Sequence, residues 1–103
     1  MATAEHIYPA DHQAVEGHFP GNPLIPGAVL LSDTLRTIEA SIGRPLTLSG
    51  IKSAKFHSPT RPGDRVAIEF ALPAAGQIKF TCAVGGTKVL TGEAVCVPTS
   101  TAS

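Results

Sequence analysis

One histidine lies where the chain is most constrained. His18 sits between Gly17 and Phe19, and the segment 17–27 that contains it has three glycines and three prolines in eleven positions. No regular helix or strand tolerates that density, so a shaped loop is predicted. A rigid loop can hold an imidazole in a fixed orientation, and histidine suits proton transfer near neutral pH. A histidine in a loop is also often structural or simply exposed, so both interpretations stay open on this evidence.

Gly27 is the second candidate for a chemical role, because it lies where a helix is predicted to begin. Backbone N–H groups in a first helical turn have no partner inside the helix, and they carry the positive end of its dipole. Such donors can polarise a carbonyl oxygen or stabilise a developing oxyanion, and a residue without Cβ lets a ligand approach closely. Gly27 can equally be a turn residue required by sterics, and the two roles are compatible.

The element that must position these residues is a helix over 28–43. This stretch has no proline and no internal glycine, and its apolar residues recur near helical spacing. Gly43 followed by Pro45 is a typical helix end.

The remaining segments with a regular pattern are predicted strands, because each shows partial alternation: 46–56, 65–72, 77–84 and 88–97. Gly85-Gly86 predicts a two-residue hairpin, and segment 4–16 predicts a short hairpin or extended pair. One early helix followed by antiparallel strands indicates an α+β domain.

Composition excludes several classes of protein. The chain has 103 residues, 43% of them hydrophobic and 16% charged, which is typical of one globular domain. Eight basic and eight acidic side chains cancel, which argues against nucleic acid as the main partner. No stretch approaches the roughly 20 apolar residues needed to span a membrane, and no signal sequence is recognised, so a cytoplasmic protein is expected. Cys82 and Cys96 lack metal-ligand spacing and are interpreted as core residues, and no metal site is predicted.

The proline and glycine pattern resembles that of a known enzyme family. Residues 17–27, GHFPGNPLIPG, resemble the HFPGxPxxPG signature of the β-hydroxyacyl-acyl carrier protein dehydratases. Residues 52–66, KSAKFHSPTRPGDRV, are similar to the Phe-x-x-Pro-x-x-Pro-Gly-Asp stretch of the same family. The order of elements matches from about Tyr8 to Val97. The resemblance implies a single hotdog domain over 1–103, in which an antiparallel sheet wraps around one central helix.

The resemblance also implies roles for individual residues. His18 corresponds to the general base that removes a proton from C2 of a 3-hydroxyacyl thioester, and Gly27 to the residue whose N–H binds the thioester carbonyl. The reaction releases water, gives a trans-2-enoyl thioester and needs no metal or redox cofactor. The substrate is expected to arrive on the phosphopantetheine arm of an acyl carrier protein, and to lie in a tunnel at a homodimer interface. The substrate-binding positions that follow from the motif are Phe19, Pro20, Gly21, Pro26 and Ala28.

This sequence departs from the family at the helical acid. The family has Glu or Asp fourteen residues after the motif histidine, where this chain has Ser32 followed by Asp33. One helical step turns a side chain by about 100°. Three hypotheses follow. Asp33 serves as the acid because the helix is locally shifted; or Ser32 orients a water, and His18 runs a slower or different reaction; or the fold is kept to bind acyl chains or to pair with a catalytic relative. Asp33 can also be a solvated or interface carboxylate, and Ser32 a hydroxyl bonded to a helical carbonyl.

Other functions and contacts stay open at the level of sequence. A hotdog thioesterase is an alternative enzyme, although thioesterases of this fold usually lack the HFPG string. His6 and His12 are interpreted as exposed. A solvated face is the simplest interpretation of the basic residues in 52–65, which could also meet an acidic carrier protein or a phosphate. These residues are Lys52, Lys55, Arg61 and Arg65.

Overall fold

Five strands and one helix form the parts of the chain that the computed structural model describes, residues 2–9, 24–43, 47–71 and 76–97. Their order is β1 (Ala2–Ile7), α1 (Gly27–Ile42), β2 (Thr47–Phe56), β3 (Arg65–Phe70), β4 (Gln77–Val84) and β5 (Thr87–Val97). All strands join one antiparallel sheet in the order β1-β3-β4-β5-β2. This arrangement confirms the predicted α+β hotdog fold, and β2 to β5 each begin and end within two residues of their predicted bounds.

The N-terminal strand pairs with a distant part of the chain. β1 runs antiparallel to β3, from Ala2 opposite Phe70 to Ile7 opposite Arg65. The pairing continues one residue further, since the N–H of Tyr8 donates to the Asp64 carbonyl at 2.9 Å. The rest of the predicted hairpin, from residue 10 to 16, lies outside the described residues. β1 therefore stands at one edge of the sheet, beside the strand that follows the second motif.

The core lies between one face of the sheet and α1. Alternate residues of β3 and β4 are buried to 3% exposure or less, as strand geometry requires when one face is covered. They pack with Leu30, Leu35 and Ile38 of the helix in one apolar cluster. The strand residues are Val66, Ile68, Phe70, Ile78, Phe80 and Cys82.

α1 buries one side and exposes another. Thr34 is buried together with the apolar residues of the stripe, whereas Ala28, Ser32, Arg36 and Ala40 form an exposed row at four-residue spacing. The helix ends at Gly43, whose φ of 75° is left-handed and whose N–H donates to the Glu39 carbonyl at 3.0 Å. At 16 residues, this helix of the described part of the chain is too short and too polar to cross a membrane.

β2 forms the other edge of the sheet and carries exposed apolar side chains. It is ten residues long and pairs only with β5 among the described strands. Leu48, Ile51 and Phe56 are 38%, 42% and 51% exposed. Each is paired across the ladder with a buried residue of β5, so all three side chains lie on the face of the sheet that carries the core. An apolar strip of this kind at an open edge is typical of an interface between subunits.

Two predictions for small residues are confirmed. Gly85 and Gly86 form the turn between β4 and β5 with φ of 58° and 85°, the positive values that a primed hairpin turn requires. Cys82 and Cys96 are free thiols with exposures of 0% and 7%, and they pack in the core.

Gly92 is expected to be intolerant of any side chain. A Cβ at this position in β5 would lie 2.5 Å from Phe80 Cζ and 3.0 Å from the Ser53 carbonyl oxygen. Gly92→Ala should therefore lower the free energy of unfolding by about 1–3 kcal/mol, because the Phe80 ring must move in a packed core. Gly50→Ala is the matched control, since a Cβ at Gly50 in β2 would meet no heavy atom within 4 Å. Urea denaturation of both variants checks this, and equal effects would contradict it.

Candidate active site

The first turn of α1 leaves backbone donors unused. The helix begins after Pro26, with no side-chain cap and no acidic residue in its first turn. The N–H groups of Val29 and Leu30 both donate to the Pro26 carbonyl at 3.0 Å. Within the described ranges, the N–H groups of Gly27 and Ala28 have no hydrogen-bond partner. This end of the helix is therefore able to bind a carbonyl oxygen or to stabilise an oxyanion.

Gly27 lies in close contact with the ring of Phe56. A Cβ at Gly27 would lie 3.0 Å from Phe56 Cε1 and 3.1 Å from Phe56 Cζ, closer than most side-chain contacts. The backbone of Gly27 is outside the left-handed region, so the residue does not serve a turn. The absence of a side chain instead lets the aromatic ring at the end of β2 lie against the start of the helix.

A cavity of about 400 Å³ opens beside this helix start. One of its walls is tied to the segment before α1, because the N–H of Ile25 donates to the Thr60 carbonyl at 2.7 Å. Apolar side chains dominate the lining, and a few polar groups accompany them, which is typical of small-molecule sites. The lining residues are Leu24, Ile25, Gly27, Leu30, Phe56, His57, Ser58, Pro59 and Thr60.

The carboxylate of Asp33 is turned towards β1. Its Oδ2 accepts a hydrogen bond from the Tyr8 hydroxyl at 2.8 Å and lies 3.7 Å from His6 Nε2. The rings of His6 and Tyr8 meet edge to face, with their centroids 4.5 Å apart. Tyr8 is only 1% exposed, and its backbone is bonded on both sides to the turn before β3. Asp33 is therefore attached to a fixed point of the sheet.

Ser32 points away from that contact. It lies in the exposed row of α1, one turn after Ala28 and one turn before Arg36. The helix runs without interruption from Gly27 to Ile42, so Ser32 and Asp33 keep the rotation of about 100° that separates neighbours in a helix. Of the two residues, Ser32 faces the outside of the subunit.

The predicted site residues divide into two groups. Pro26, Gly27 and Ala28 come together at the start of α1, and Ser32 and Asp33 follow in its second turn. The other group lies outside the described residues: His18, Phe19, Pro20 and Gly21. The distance from the imidazole to either helical side chain is therefore not part of the described geometry, and the role of His18 stays a prediction.

Three contributors to this region did not stand out in the sequence. His6 was predicted to be exposed, yet its side chain is one-third exposed and contacts both Tyr8 and Asp33. Phe56 and Thr60 line the cavity although they belong to the second motif rather than the first. The available signal in the sequence was the alternation of Ala2 and Ala4 with polar residues, which puts His6 on the same side of the strand as the alanines.

The basic residues of 52–65 are spread over the sheet. Lys52 and Lys55 belong to β2, whereas Arg65 belongs to β3, and β4 and β5 lie between these strands. Three strand spacings separate them by about 14 Å. Lys52 pairs with Glu93 at 3.7 Å and Arg65 with Glu5 at 3.6 Å. The described structure therefore shows these side chains apart and partly neutralised, rather than as one basic strip.

Comparison with known proteins finds relatives that are named as dehydratases. The family model described as ApeI dehydratase matches residues 1–93. A 3-hydroxyacyl-acyl-carrier-protein dehydratase FabZ of Latilactobacillus sakei is 37% identical over 76% of this chain. The corresponding enzyme of Ligilactobacillus salivarius is 32% identical over 89% of this chain. The chain spans 64% of the length of the first relative and 74% of the second.

A solved structure has the same fold. The dehydratase heterocomplex ApeI:P from Xenorhabdus doucetiae superposes with a TM-score of 0.78, covering 91% of this chain and 84% of that chain. The sequences are 18% identical, so this likeness concerns the fold. It agrees with the one-helix, five-strand topology described above.

The bond between Tyr8 and Asp33 predicts a defined stability change. Burial, and next the hydrogen bond to Asp33, raise the pKa of Tyr8 far above its usual value. An unfolded tyrosine ionises near pH 10, so stability due to Tyr8 is complete below about pH 10 and falls as the pH rises further. Tyr8→Phe should lower the free energy of unfolding at neutral pH by about 1–3 kcal/mol, because the carboxylate loses a donor. The variant should also lose less stability above pH 10.

Denaturation curves at several pH values check both expectations. Tyr8 is the only tyrosine in the chain, so tyrosinate absorbance should rise only as the wild-type protein unfolds. Burial also raises the pKa of Cys82 and of Cys96, and that part of the alkaline loss should persist in Tyr8→Phe. A variant as stable as the wild type, with the same alkaline slope, would show that the bond contributes nothing.

Proposed function

We propose, from the fact that the chain belongs to the family of ApeI-like dehydratases, that it removes water from a 3-hydroxyacyl thioester to give a trans-2-enoyl thioester. The observation that carries the proposal is the uncapped start of α1, which opens onto a cavity directly after the HFPGNPLIPG string. The curated relatives are named as dehydratases of 3-hydroxyacyl groups on acyl carrier protein. An acyl carrier protein with its phosphopantetheine arm is accordingly the proposed donor of the substrate.

The chemistry assigns one role to each end of the motif. The thioester carbonyl oxygen accepts a hydrogen bond from the Gly27 N–H, so that negative charge developing on this oxygen is stabilised by the helix start. His18 removes the proton from C2 as general base. The C2 electron pair then forms the C2–C3 double bond, and the C3–O bond breaks. The departing hydroxyl takes up one proton and leaves as water.

This chain differs from its family in the group that gives a proton to the departing hydroxyl. Asp33 is unsuited to deliver it, because its carboxylate is held by Tyr8 and faces β1. Ser32 faces outwards and has no acidic group. His18, once protonated by C2, is then the group that returns a proton to the leaving hydroxyl, and Ser32 orients this hydroxyl or a water beside it. This supports the second of the three hypotheses, a slower reaction run by His18.

The partner chain is proposed to dock on β2. β2 is ten residues long and pairs on one side only among the described strands, so the backbone groups on its outer side are available, and Leu48, Ile51 and Phe56 lie exposed on the core-side face. A second copy of the chain, paired edge to edge by a two-fold axis, would cover this strip and complete the wall beside the exposed row of α1. A catalytic relative could dock in the same way and supply an acid opposite Ser32. A structural neighbour, ApeI:P, is named as a dehydratase heterocomplex, which supports the pairing of two different chains of this fold.

Four proteins assayed side by side test the activity. The wild type should dehydrate a 3-hydroxyacyl thioester, and His18→Ala should lose on the order of 10²–10⁴ in kcat. Ser32→Glu should raise kcat by about 10-fold or more, because it places an acid at the outward position. Asp33→Asn should keep the wild-type kcat, since its amide oxygen can still accept the Tyr8 hydrogen bond. Formation of the enoyl thioester is followed by ultraviolet absorbance.

Each alternative has its own signature in that assay. Loss of activity in Asp33→Asn, with Ser32→Glu unchanged, would identify Asp33 as the acid. Activity that arises only when a second hotdog chain is added would favour the heterodimer. Equal rates for the wild type and His18→Ala would exclude the proposed dehydratase, and release of free thiol would indicate a thioesterase instead.

The docking strand can be tested with two matched isoleucines. Ile51 on β2 and Ile7 on β1 are 42% and 53% exposed, and each lies on an edge strand. Ile51→Lys should convert a dimer to monomers, because it places a charge in the apolar strip. Ile7→Lys should leave the dimer intact. Sedimentation velocity separates the two states, and a wild-type monomer, or dissociation by Ile7→Lys alone, would refute the assigned interface.

A further inference from the structure

One buried hydroxyl in the cavity wall has no partner. Thr60 is 2% exposed, and among the described residues its Oγ1 is the one buried side-chain nitrogen or oxygen without a hydrogen bond. Its backbone carbonyl has a partner by contrast, since it accepts the Ile25 N–H at 2.7 Å. A buried polar group without a partner destabilises a fold, so its presence calls for a reason.

Thr34 shows what a satisfied hydroxyl looks like in the same core. It is 1% exposed, and its Oγ1 donates to the Leu30 carbonyl at 2.7 Å and lies 3.4 Å from Cys82 Sγ. Thr60 has the same side chain and nearly the same burial, but none of these contacts. The difference between the two residues lies in their surroundings: Thr60 lines the cavity at the start of α1, and Thr34 does not.

The cavity therefore has two unused sets of hydrogen-bonding groups. One is the uncapped helix start with its Gly27 N–H, and the other is the Thr60 hydroxyl. Rotation about the Cα–Cβ bond moves the Thr60 hydroxyl among three staggered positions. The remaining lining is mainly apolar, with Leu24, Leu30 and Phe56 among its members. A ligand that fits has an apolar body with hydrogen-bonding oxygens at two places.

We propose that Thr60 determines substrate specificity by hydrogen bonding an oxygen carried on the acyl chain, beyond the thioester. This rests on the proposed function, in which Gly27 binds the thioester carbonyl. Thr60 is almost fully buried, whereas Gly27 is partly exposed. The pantetheine arm must lead out to the carrier protein, so we assign the acyl end of the substrate to the less accessible group, Thr60. The preferred substrate is then an oxygenated acyl thioester rather than a plain hydrocarbon chain.

The test compares binding with stability for two isosteric substitutions. The probes are acyl pantetheine thioesters of one chain length that lack the 3-hydroxyl group and therefore cannot be dehydrated, one with a plain chain and the others with a single keto oxygen at successive carbons. Wild-type protein should bind one keto probe roughly 3- to 10-fold more tightly than the plain probe, as expected for one neutral hydrogen bond. Thr60→Val should bind the keto probes and the plain probe with equal affinity. Isothermal titration calorimetry measures each affinity.

The denaturant concentration at which each variant unfolds is the second measurement. Thr60→Val should unfold at a denaturant concentration equal to or higher than that of the wild type, because it removes an unsatisfied hydroxyl. Thr34→Val is the matched control and should unfold at a lower concentration, because it removes a satisfied one. A Thr60→Val protein that is destabilised like Thr34→Val and keeps the keto preference would overturn the proposal.

The two proposals can fail separately. Turnover of 3-hydroxyacyl thioesters with no preference for any keto probe would contradict the role of Thr60 and leave the dehydratase function standing. Preferential binding of a keto probe that Thr60→Val abolishes, without turnover, would support Thr60 and contradict the dehydratase function. Absence of binding by every probe would contradict both.

Discussion

The close approach of α1 to the end of β2 is the contact on which the site depends. Gly27 lies against the Phe56 ring, so the helix start is placed at the wall of a cavity rather than in solvent. The Ile25–Thr60 hydrogen bond holds the entering chain to the same wall. A Cβ at position 27 would lie 3.0 Å from the ring, so the ring would have to shift and the wall of the cavity would change.

The rotation of α1 about its axis is a second constraint, and it decides what the helix offers to a substrate. Asp33 is bonded to Tyr8, which is itself anchored by backbone bonds to Gly63 and Asp64. With Asp33 directed to β1, Ser32 must face outwards together with Ala28 and Arg36. The residue that shares a side with the proposed partner is thus a hydroxyl, while the nearby carboxylate stabilises the fold.

Local patterns in the sequence predicted the fold well and the site only in part. Apolar spacing and Gly43 located α1, alternation located four strands, and Gly85-Gly86 predicted the hairpin turn. The Tyr8–Asp33 bond could not be foreseen, because it joins residues 25 positions apart and depends on β1 pairing with β3. The basic residues of 52–65 are neighbours in sequence but are separated by the crossing from β2 to β3. Thr60 gives no sequence signal, because a threonine between prolines is ordinarily an exposed loop residue. His18 stays a prediction from the motif.

In the described structure, the polar groups that lack a hydrogen-bond partner lie at the same cavity to which the motif leads. At its far end α1 is closed by Gly43, the core hydroxyls of Tyr8 and Thr34 have partners, and both cysteines pack as apolar residues. The uncapped helix start and the Thr60 hydroxyl are the exceptions in the described structure, and both border one cavity. Free N–H groups are ordinary at a helix start, but the unsatisfied hydroxyl of Thr60 borders the same cavity. This coincidence supports the proposal that the cavity at the start of α1 is a binding site.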